Sequence, residues 1–237
     1  MQKEPETGGR TVLIELRDVG ISYGRDAVFE GVTLSLPPGS FHFLTGPSGA
    51  GKTTFLRICY LEIPPGTGSV AVLGQEAEDL DRDGIATLRR RIGVVHQNCR
   101  FLDHLTLAEN VALPLVAAGR DPEEEAGNLS DLLAWVGLTD QADQRPPELS
   151  GGERQRAALA RAVITSPDLV IADEPTGNVD WEMSLRLMTL LAELNRMGKT
   201  VLMATHDLGL IRQAKTMVDA RVLRIAKGRV DVAGADL

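Results

Sequence analysis

The sequence has few cysteines, no excess of positive charge and no long apolar run. Only two of its 237 residues are cysteines, Cys59 and Cys99, and they lie far apart. Such a pair does not make a disulfide framework, so a reducing compartment is expected. No apolar run approaches the length that is needed to span a bilayer. The net charge of −8 argues against a protein whose main task is to cover the phosphates of DNA or RNA.

Internal repeats and low-complexity tracts are missing as well, and the length suits one large domain. Hydrophobic residues make up 43% of the chain, which is enough for a core. The first ten residues are polar and contain glycine, so they are not expected to form a signal peptide. We expect residues 1–10 to be a flexible tail and residues 11–237 to form a single domain.

Strand and helix patterns alternate along the chain. The first third contains short strands that are expected to form a small antiparallel sheet. Continuous apolar runs at 169–172 and 200–204 are typical of strands buried on both faces. Apolar residues recur at helical spacing within the stretch from about 98 to 163. The sequence therefore predicts an α/β fold with a mostly parallel core sheet, an antiparallel β subdomain and an inserted helical subdomain.

The most informative stretch fits the phosphate-loop pattern G-x-x-x-x-G-K-[ST], and it lies between an apolar strand and the start of a helix. Its glycines let the backbone turn N–H groups toward one point, and the positive end of the helix adds to this anion site. The lysine is expected to reach the β- and γ-phosphates of a nucleotide, and the threonine after it to coordinate Mg²⁺. The residues expected to bind the nucleotide here are Gly46, Pro47, Ser48, Gly49, Ala50, Gly51, Lys52, Thr53 and Thr54.

Two acids, Asp173 and Glu174, close the buried strand at 169–172. The carboxyl ends of parallel strands are the edge at which ligands bind in open α/β sheets. We expect Asp173 to help hold Mg²⁺ through water and Glu174 to polarise an attacking water molecule. The alternative is a pair of carboxylates that is merely solvated at the end of a strand.

A second anion site is predicted where a helix begins after Leu149. Ser150 is a good N-cap, and Glu153 stands three residues on, as in a capping box. Gly151 and Gly152 follow the cap, and a helix N-terminus of this kind can also bind an anion. Because one chain has only one phosphate loop to serve, this second site suggests that a partner subunit supplies the other half.

These motifs, followed by Ala204-Thr205-His206-Asp207, occur in the order of an ABC-type ATPase, and the chain resembles that family from about Leu13 to Val230. The resemblance implies the fold of an ABC nucleotide-binding domain with a RecA-like core. It implies ATP and Mg²⁺ as cofactors and hydrolysis of ATP to ADP and phosphate. It also implies a head-to-tail homodimer, in which each ATP lies between the phosphate loop of one subunit and the Ser150 helix of the other.

The resemblance assigns roles to further residues. Tyr23 matches the aromatic residue that stacks on adenine, and Gln97 matches the glutamine that contacts Mg²⁺ and senses the γ-phosphate. Asp180 matches the loop that crosses the dimer interface, and His206 matches the histidine that contacts the γ-phosphate. The implied catalytic residues are Glu174, His206, Gln97 and Lys52, the implied metal ligands are Thr53, Gln97 and Asp173, and the implied nucleotide contacts include Ser150, Gly151, Gly152, Gln155 and Asp180.

Within the family, residues 172–180 resemble the branch that includes the FtsE, LolD and MacB ATPases, and the phosphate-loop region resembles the FtsE type most. That resemblance implies a peripheral position on the cytoplasmic face of the inner membrane, an FtsX-like membrane partner and control of septal peptidoglycan hydrolysis in cell division. Two alternatives stay open: the ATPase subunit of a lipoprotein-releasing or efflux exporter, and a nucleotide-dependent scaffold with little turnover.

The sequence departs from the family pattern around Gln97. His96 stands where an aromatic residue is expected, and Asn98-Cys99 stands where Asp-Phe is expected. In the family this region faces the membrane partner. The departures therefore bear on how the partner docks, and they leave the ATPase assignment unchanged.

Overall fold

The computed structural model describes residues 12–24, 26–177 and 179–232, so the tail predicted at 1–10 lies outside the described residues. The strands are β1 (Ile14–Tyr23), β2 (Asp26–Leu36), β3 (Phe41–Thr45), β4 (Thr67–Val72), β5 (Gln75–Glu76), β6 (Ile92–Val95), β7 (Leu169–Asp173), β8 (Thr200–Ala204), β9 (Ala220–Ala226) and β10 (Arg229–Val232). The α-helices are α1 (Lys52–Cys59), α2 (Arg82–Arg89), α3 (Leu107–Ala117), α4 (Ala126–Val136), α5 (Gly151–Val163), α6 (Trp181–Arg196) and α7 (Leu208–Ala214).

A six-stranded sheet in the order β10-β9-β3-β8-β7-β6 runs through the centre of the fold. Neighbouring strands in it are parallel except β10, which pairs antiparallel with β9. Strands β3, β7 and β8 are buried along their whole length, as expected for strands that are covered on both faces. The predicted α/β fold with a mostly parallel core sheet is confirmed.

Side chains alternate between the two faces of this sheet, so each face has its own hydrophobic core. Phe43 and Met203 belong to the cluster that contains residues of α3 to α7. Leu44 and Leu202, their neighbours in sequence, belong to the cluster that contains α1 and residues of β1, β2 and β4. Those last strands form a second sheet, in the order β2-β1-β4-β5, with antiparallel pairing throughout. The predicted small antiparallel sheet is therefore present.

The helices α3, α4 and α5 follow one another between β6 and β7, within the stretch that the sequence predicts to be helical. Both α3 and α5 begin at a capping box, formed by Thr106 with Glu109 and by Ser150 with Glu153. The cap predicted at Ser150 is thus confirmed. No helix among the described residues is both long and apolar enough to cross a bilayer.

Four short elements are not predicted by the sequence patterns: α2, β5, β6 and α7. Helix α2 buries only Leu88, and β6 has four residues, too few for a periodic signal. Gly93 in β6 lies against α5, because a Cβ there would stand 2.1 Å from the carbonyl oxygen of Ala162. Strand β6 matters for function, since the chain leaves it directly toward Gln97.

Candidate functional site

The loop between β3 and α1 forms a cradle of backbone. Gly49 and Gly51 have φ angles of 75° and 97°, left-handed conformations that glycine adopts without strain. A Cβ at Gly46 would lie 2.6 Å from the carbonyl oxygen of Ile225, so that position has no room for a side chain. Helix α1 begins at Lys52, and the first N–H groups of a helix have no partners within it. The loop therefore has the form of the anion site that the motif predicts.

Lys52 is buried in this cradle. Its Nζ donates to the carbonyl oxygens of Gly46 and Pro47 at 3.0 and 3.3 Å. It also lies 3.4 Å from Oε1 of Glu174, and only 9% and 10% of these two side chains are exposed. The ammonium group is thus held inside the loop by two carbonyl groups and one carboxylate.

Thr53 and Asp173 join the loop to the end of β7. The Thr53 hydroxyl donates to Asp173 Oδ2 at 2.7 Å. The other carboxylate oxygen, Oδ1, is buried and has no hydrogen-bond partner among the described residues. Burial raises the pKa of Asp173, and the bond from Thr53 partly opposes that rise. An oxygen that is buried and unpartnered beside a hydroxyl group is suited to a cation.

Glu174 follows β7 with a φ of 46°, in the left-handed region that residues other than glycine rarely adopt. Its backbone N–H donates to the carbonyl oxygen of Ala204 at the end of β8. Its Oε2 lies 2.9 Å from Nδ1 of His206, whose side chain is 70% exposed. A strained backbone with a buried carboxylate and an exposed histidine is typical of a functional site.

Most of the predicted site residues of the phosphate-loop region surround one cavity of about 270 Å³. It is lined by Ser48, Gly49, Gly51, Lys52, Thr53, Thr54, Gln97, Asp173 and Glu174. Gln97 reaches it from the end of β6, and the two acids reach it from the end of β7. Gln97 and the adjacent pair Asp173-Glu174, which are far apart in sequence, thus meet at the carboxyl edge of the parallel strands.

A neighbouring cavity of about 440 Å³ contains Tyr23, which is 55% exposed, together with Pro47 and Ala50 of the loop. Sequence reasoning missed its other walls, which come from Asp26, Val28 and the Lys227-Gly228 turn of the β9–β10 hairpin. No local pattern identifies them, because the hairpin reaches this position only through its pairing beside β3.

The residues predicted at the second anion site do not line either cavity in a single chain. Ser150 caps α5, and its hydroxyl and backbone N–H both contact Glu153. Gln155 is buried, and its Oε1 accepts a hydrogen bond from the Cys99 thiol at 3.2 Å. Asp180 caps α6 by accepting from the N–H of Met183 at 2.8 Å. The structure therefore brings together the phosphate-loop half of the predicted site and leaves Ser150, Gly151, Gly152, Gln155 and Asp180 outside it.

Comparison with protein-family models matches residues 29–177 to the family described as "ABC transporter". FtsE of Haemophilus influenzae, a cell division ATP-binding protein, is 42% identical over 203 residues, which are 85% of this chain and 93% of that protein. FtsE of Bacillus subtilis is 39% identical over 88% of this chain and 92% of its own length. MetN of Brucella abortus, a methionine import ATP-binding protein, is 38% identical over 90% of this chain and 58% of its own length.

Comparison with solved structures also finds ATP-binding cassettes that are similar to this chain. The dimeric structure of a bacterial ABC transporter cassette has a TM-score of 0.83 and 35% identity, and the match covers 92% of this chain and 96% of that one. The dimeric post-hydrolysis state of an ATP-binding cassette with ADP and Pi has a TM-score of 0.82 and 33% identity over the same shares.

Proposed function

Because the chain belongs to the ABC transporter family of ATPases, we propose that it binds Mg-ATP between two copies of itself and uses the hydrolysis to drive a membrane partner. The observation that carries this proposal is the meeting of Lys52, Thr53, Asp173 and Glu174 around one cavity. Lys52 would exchange its carbonyl and carboxylate contacts for the β- and γ-phosphates. Tyr23 would stack on the adenine base in the neighbouring cavity.

The residues present fit a magnesium ion. Asp173 Oδ1 is buried without a partner in the described part of the chain, and Thr53 and Gln97 border the same cavity. Mg²⁺ prefers such oxygen ligands in combination with phosphate oxygens. The ion would neutralise negative charge on the β- and γ-phosphates.

Glu174 is the residue that we assign to the attacking water. Its carboxylate would accept a hydrogen bond from the water while the water oxygen forms a bond to the γ-phosphorus and the bond to the oxygen of ADP breaks. The proton of the water leaves with the phosphate product. His206 would hold the carboxylate through Oε2, at the distance already present in the chain, and would contact the γ-phosphate. Gln97 would sense the γ-phosphate from the end of the neighbouring strand β6.

A second copy would complete the site. Ser150, Gly151 and Gly152 begin a helix whose free N–H groups and positive end suit a γ-phosphate, yet they lie outside the cavities of their own chain. We assign them, with Gln155 and Asp180, to the ATP held by the other copy. Glu153 already occupies the cap in each chain and would have to share it with the phosphate.

For the biological role, we propose a cell-division ATPase that is held at the cytoplasmic face of the inner membrane by an FtsX-like protein and controls septal peptidoglycan hydrolysis. Support comes from the identity of 42% to FtsE of Haemophilus influenzae. The relatives also include an importer ATPase, so the membrane partner is what defines the role.

The first experiment traps the Glu174→Gln variant with Mg-ATP and measures its mass by light scattering. The control is Glu182→Gln, which replaces an exposed carboxylate of α6. A dimer that forms only in Glu174→Gln with ATP supports the mechanism, and a variant that stays monomeric with excess ATP refutes it.

The second experiment isolates the trapped complex from membranes of the native cells and identifies the bound partner by mass spectrometry. A lipoprotein-releasing or efflux permease would replace the division role. A partner that binds without any phosphate release by the unmodified chain would indicate a scaffold.

A further inference from the structure

Two exposed large apolar side chains lie at the starts of neighbouring helices. Trp181 is the first residue of α6 and is 50% exposed, and Leu208 is the first residue of α7 and is 40% exposed. The Trp181 ring lies over the start of α7, because a Cβ built at Gly209 would stand 3.8 Å from Cη2 of that ring. We call Trp181 and Leu208 the apolar patch. Tryptophan is among the residues that most often anchor protein interfaces.

No polar contact within the described part of the chain accounts for the exposed position of Trp181. The other tryptophan, Trp135, donates its indole N–H to Glu193 at 2.7 Å, whereas the indole N–H of Trp181 has no such partner among the described residues. An exposed aromatic ring leaves apolar surface in water, which costs free energy. A half-exposed tryptophan beside an exposed leucine is therefore typical of a surface that a partner covers.

The patch lies between the two halves of the proposed ATP site. On one side, the first turn of α6 meets the first turn of α5, since a Cβ built at Gly152 would stand 3.0 Å from the Met183 side chain. On the other side, His206, which lies 2.9 Å from Glu174, precedes Leu208 by two residues. The patch thus separates the start of α5 from the residues of the nucleotide cavity.

This position places the patch close to the symmetry axis of a head-to-tail dimer. Two identical copies that face each other are related by a two-fold axis. Because the phosphate-loop half of one copy must face the α5 half of the other, the axis passes midway between the two halves on this face of each copy. A residue that lies between the halves is therefore near the axis, and it meets the same residue of the other copy.

The acidic residues beside the patch do not oppose this contact. Asp180 caps α6 by accepting from the N–H of Met183 at 2.8 Å, and Asp207 caps α7 by accepting from the N–H of Leu210 at 3.0 Å. Both carboxylates thus face backbone N–H groups of their own helices, and the positive ends of these helices offset their charge. Glu182 lies about 100° around the helix axis from the patch.

We propose that the apolar patch of one copy packs against the apolar patch of a second copy, so that the two-fold axis of the ATP-bound dimer passes between the two Trp181 side chains. This inference rests on the proposed function, because it needs two copies that close around ATP. It adds the residues that hold the copies together away from the nucleotide. Burial of the patch stabilises the dimer independently of the two ATP sites.

Photo-cross-linking tests this contact. A benzophenone-bearing phenylalanine derivative, which keeps an aromatic side chain, replaces Trp181 in the Glu174→Gln variant, and the chain is irradiated with and without Mg-ATP. The control places it at Thr189, which is also exposed on α6 but lies about 12 Å farther along the helix. We expect a covalent dimer from position 181 with Mg-ATP, none from position 189, and a linked peptide that contains position 181 or Leu208 of the other copy.

Light scattering on the same samples keeps this inference apart from the proposed function. Dimers that form with Mg-ATP but give no covalent dimer at position 181, or a linked peptide from elsewhere in the other copy, would overturn the inference and leave the ATP-driven dimer standing. A Glu174→Gln chain with the native Trp181 that stays monomeric with excess Mg-ATP would overturn both.

The strength of association provides the second arm. In the Glu174→Gln background with Mg-ATP, Trp181→Gln should raise the dissociation constant of the dimer by at least about tenfold, and Trp181→Phe should retain most of the association. Met197→Gln, which replaces a side chain that is 71% exposed at the other end of the same helix, is the control and should change nothing. Trp181→Gln and Met197→Gln dimers of equal strength would contradict the role of the patch.

Nucleotide binding by the single chain separates an interface role from a structural one. Trp181 lines neither the phosphate-loop cavity nor the cavity beside Tyr23. Trp181→Gln should therefore bind a non-hydrolysable ATP analogue as tightly as the unmodified chain, at concentrations for which both are monomers. A parallel loss of nucleotide affinity would show that the substitution disturbs the fold of the single chain, and it would overturn the assignment of Trp181 to the interface.

Discussion

Replacing Glu174 by glutamine is expected to tighten the binding of a non-hydrolysable ATP analogue by a single chain, by about tenfold. Lys52 Nζ lies 3.4 Å from Glu174 Oε1, and both side chains are about nine-tenths buried. To reach the phosphates, the lysine must leave this carboxylate, which then faces the negative charge of the nucleotide. Glutamine has nearly the same shape and removes both of these costs.

The magnitude follows from the distance. At 3.4 Å, and with an effective dielectric constant of about 20, the attraction between the two charges is about 5 kcal/mol. Desolvation of a buried ion pair offsets most of such an attraction. In the variant, Lys52 can still donate to the carbonyl oxygens of Gly46 and Pro47, and these contacts still compete with the phosphates. We therefore expect a net gain of about 1.4 kcal/mol, which corresponds to the tenfold change in Kd.

Isothermal titration calorimetry measures this gain, at protein concentrations for which light scattering shows a monomer in every sample. The exposed carboxylate variant Glu182→Gln is the control and should bind like the unmodified chain. ADP should gain less than the ATP analogue, because it lacks the phosphate that would lie nearest Glu174. Equal or weaker binding of the analogue by Glu174→Gln would refute the reasoning from the ion pair.

Three further predictions concern single side chains. Lys52→Ala should weaken ATP binding by at least about a hundredfold in the same titration, since Lys52 is the only cationic residue among the described residues that line the cavity; undiminished affinity would refute the site. Burial lowers the pKa of His42 to about 4, helped by Arg221, so the folded chain loses stability as pH falls from about 6.5 to 4. In the His42→Phe variant, the free energy of unfolding measured in urea should fall by about 2 to 3 kcal/mol less across this pH range than in the unmodified chain. An unchanged pH dependence would contradict this prediction. Asn110 is fully buried and makes four hydrogen bonds to the backbone of Leu102, Leu105 and Thr106. Asn110→Ala should therefore lower the free energy of unfolding by about 3 kcal/mol. A loss below about 1 kcal/mol would show that these bonds contribute little.

The parts of the site that lie on one continuous stretch could be predicted from the sequence. The phosphate loop needs glycines at fixed spacing between a strand and a helix, and Gly49, Gly51 and Lys52 have the conformations and position that this spacing predicts. The cap at Ser150 could be predicted from the sequence for the same reason, because a capping box is a contact between two residues that are three positions apart. In both cases the physical cause is local.

Contacts between distant stretches could not be predicted in this way. The pairing of Lys52 with Glu174 depends on β3 and β7 flanking β8, and strand order is not encoded in any local pattern. The sequence supplied the residue types, and the order of the strands determined which of them meet.

The segment after β6 connects the two halves of the proposed site. β6 ends at Val95, and Gln97, two residues on, lines the nucleotide cavity. After two more residues, the thiol of Cys99 donates to Gln155 in the helix that begins at Ser150. A γ-phosphate at Gln97 would therefore act on a segment that is hydrogen-bonded to the helix we assign to the ATP of the other copy. Because coupling between binding events is reciprocal, a partner that promotes closure around ATP must itself be held more tightly by the ATP-bound chain than by the chain after hydrolysis.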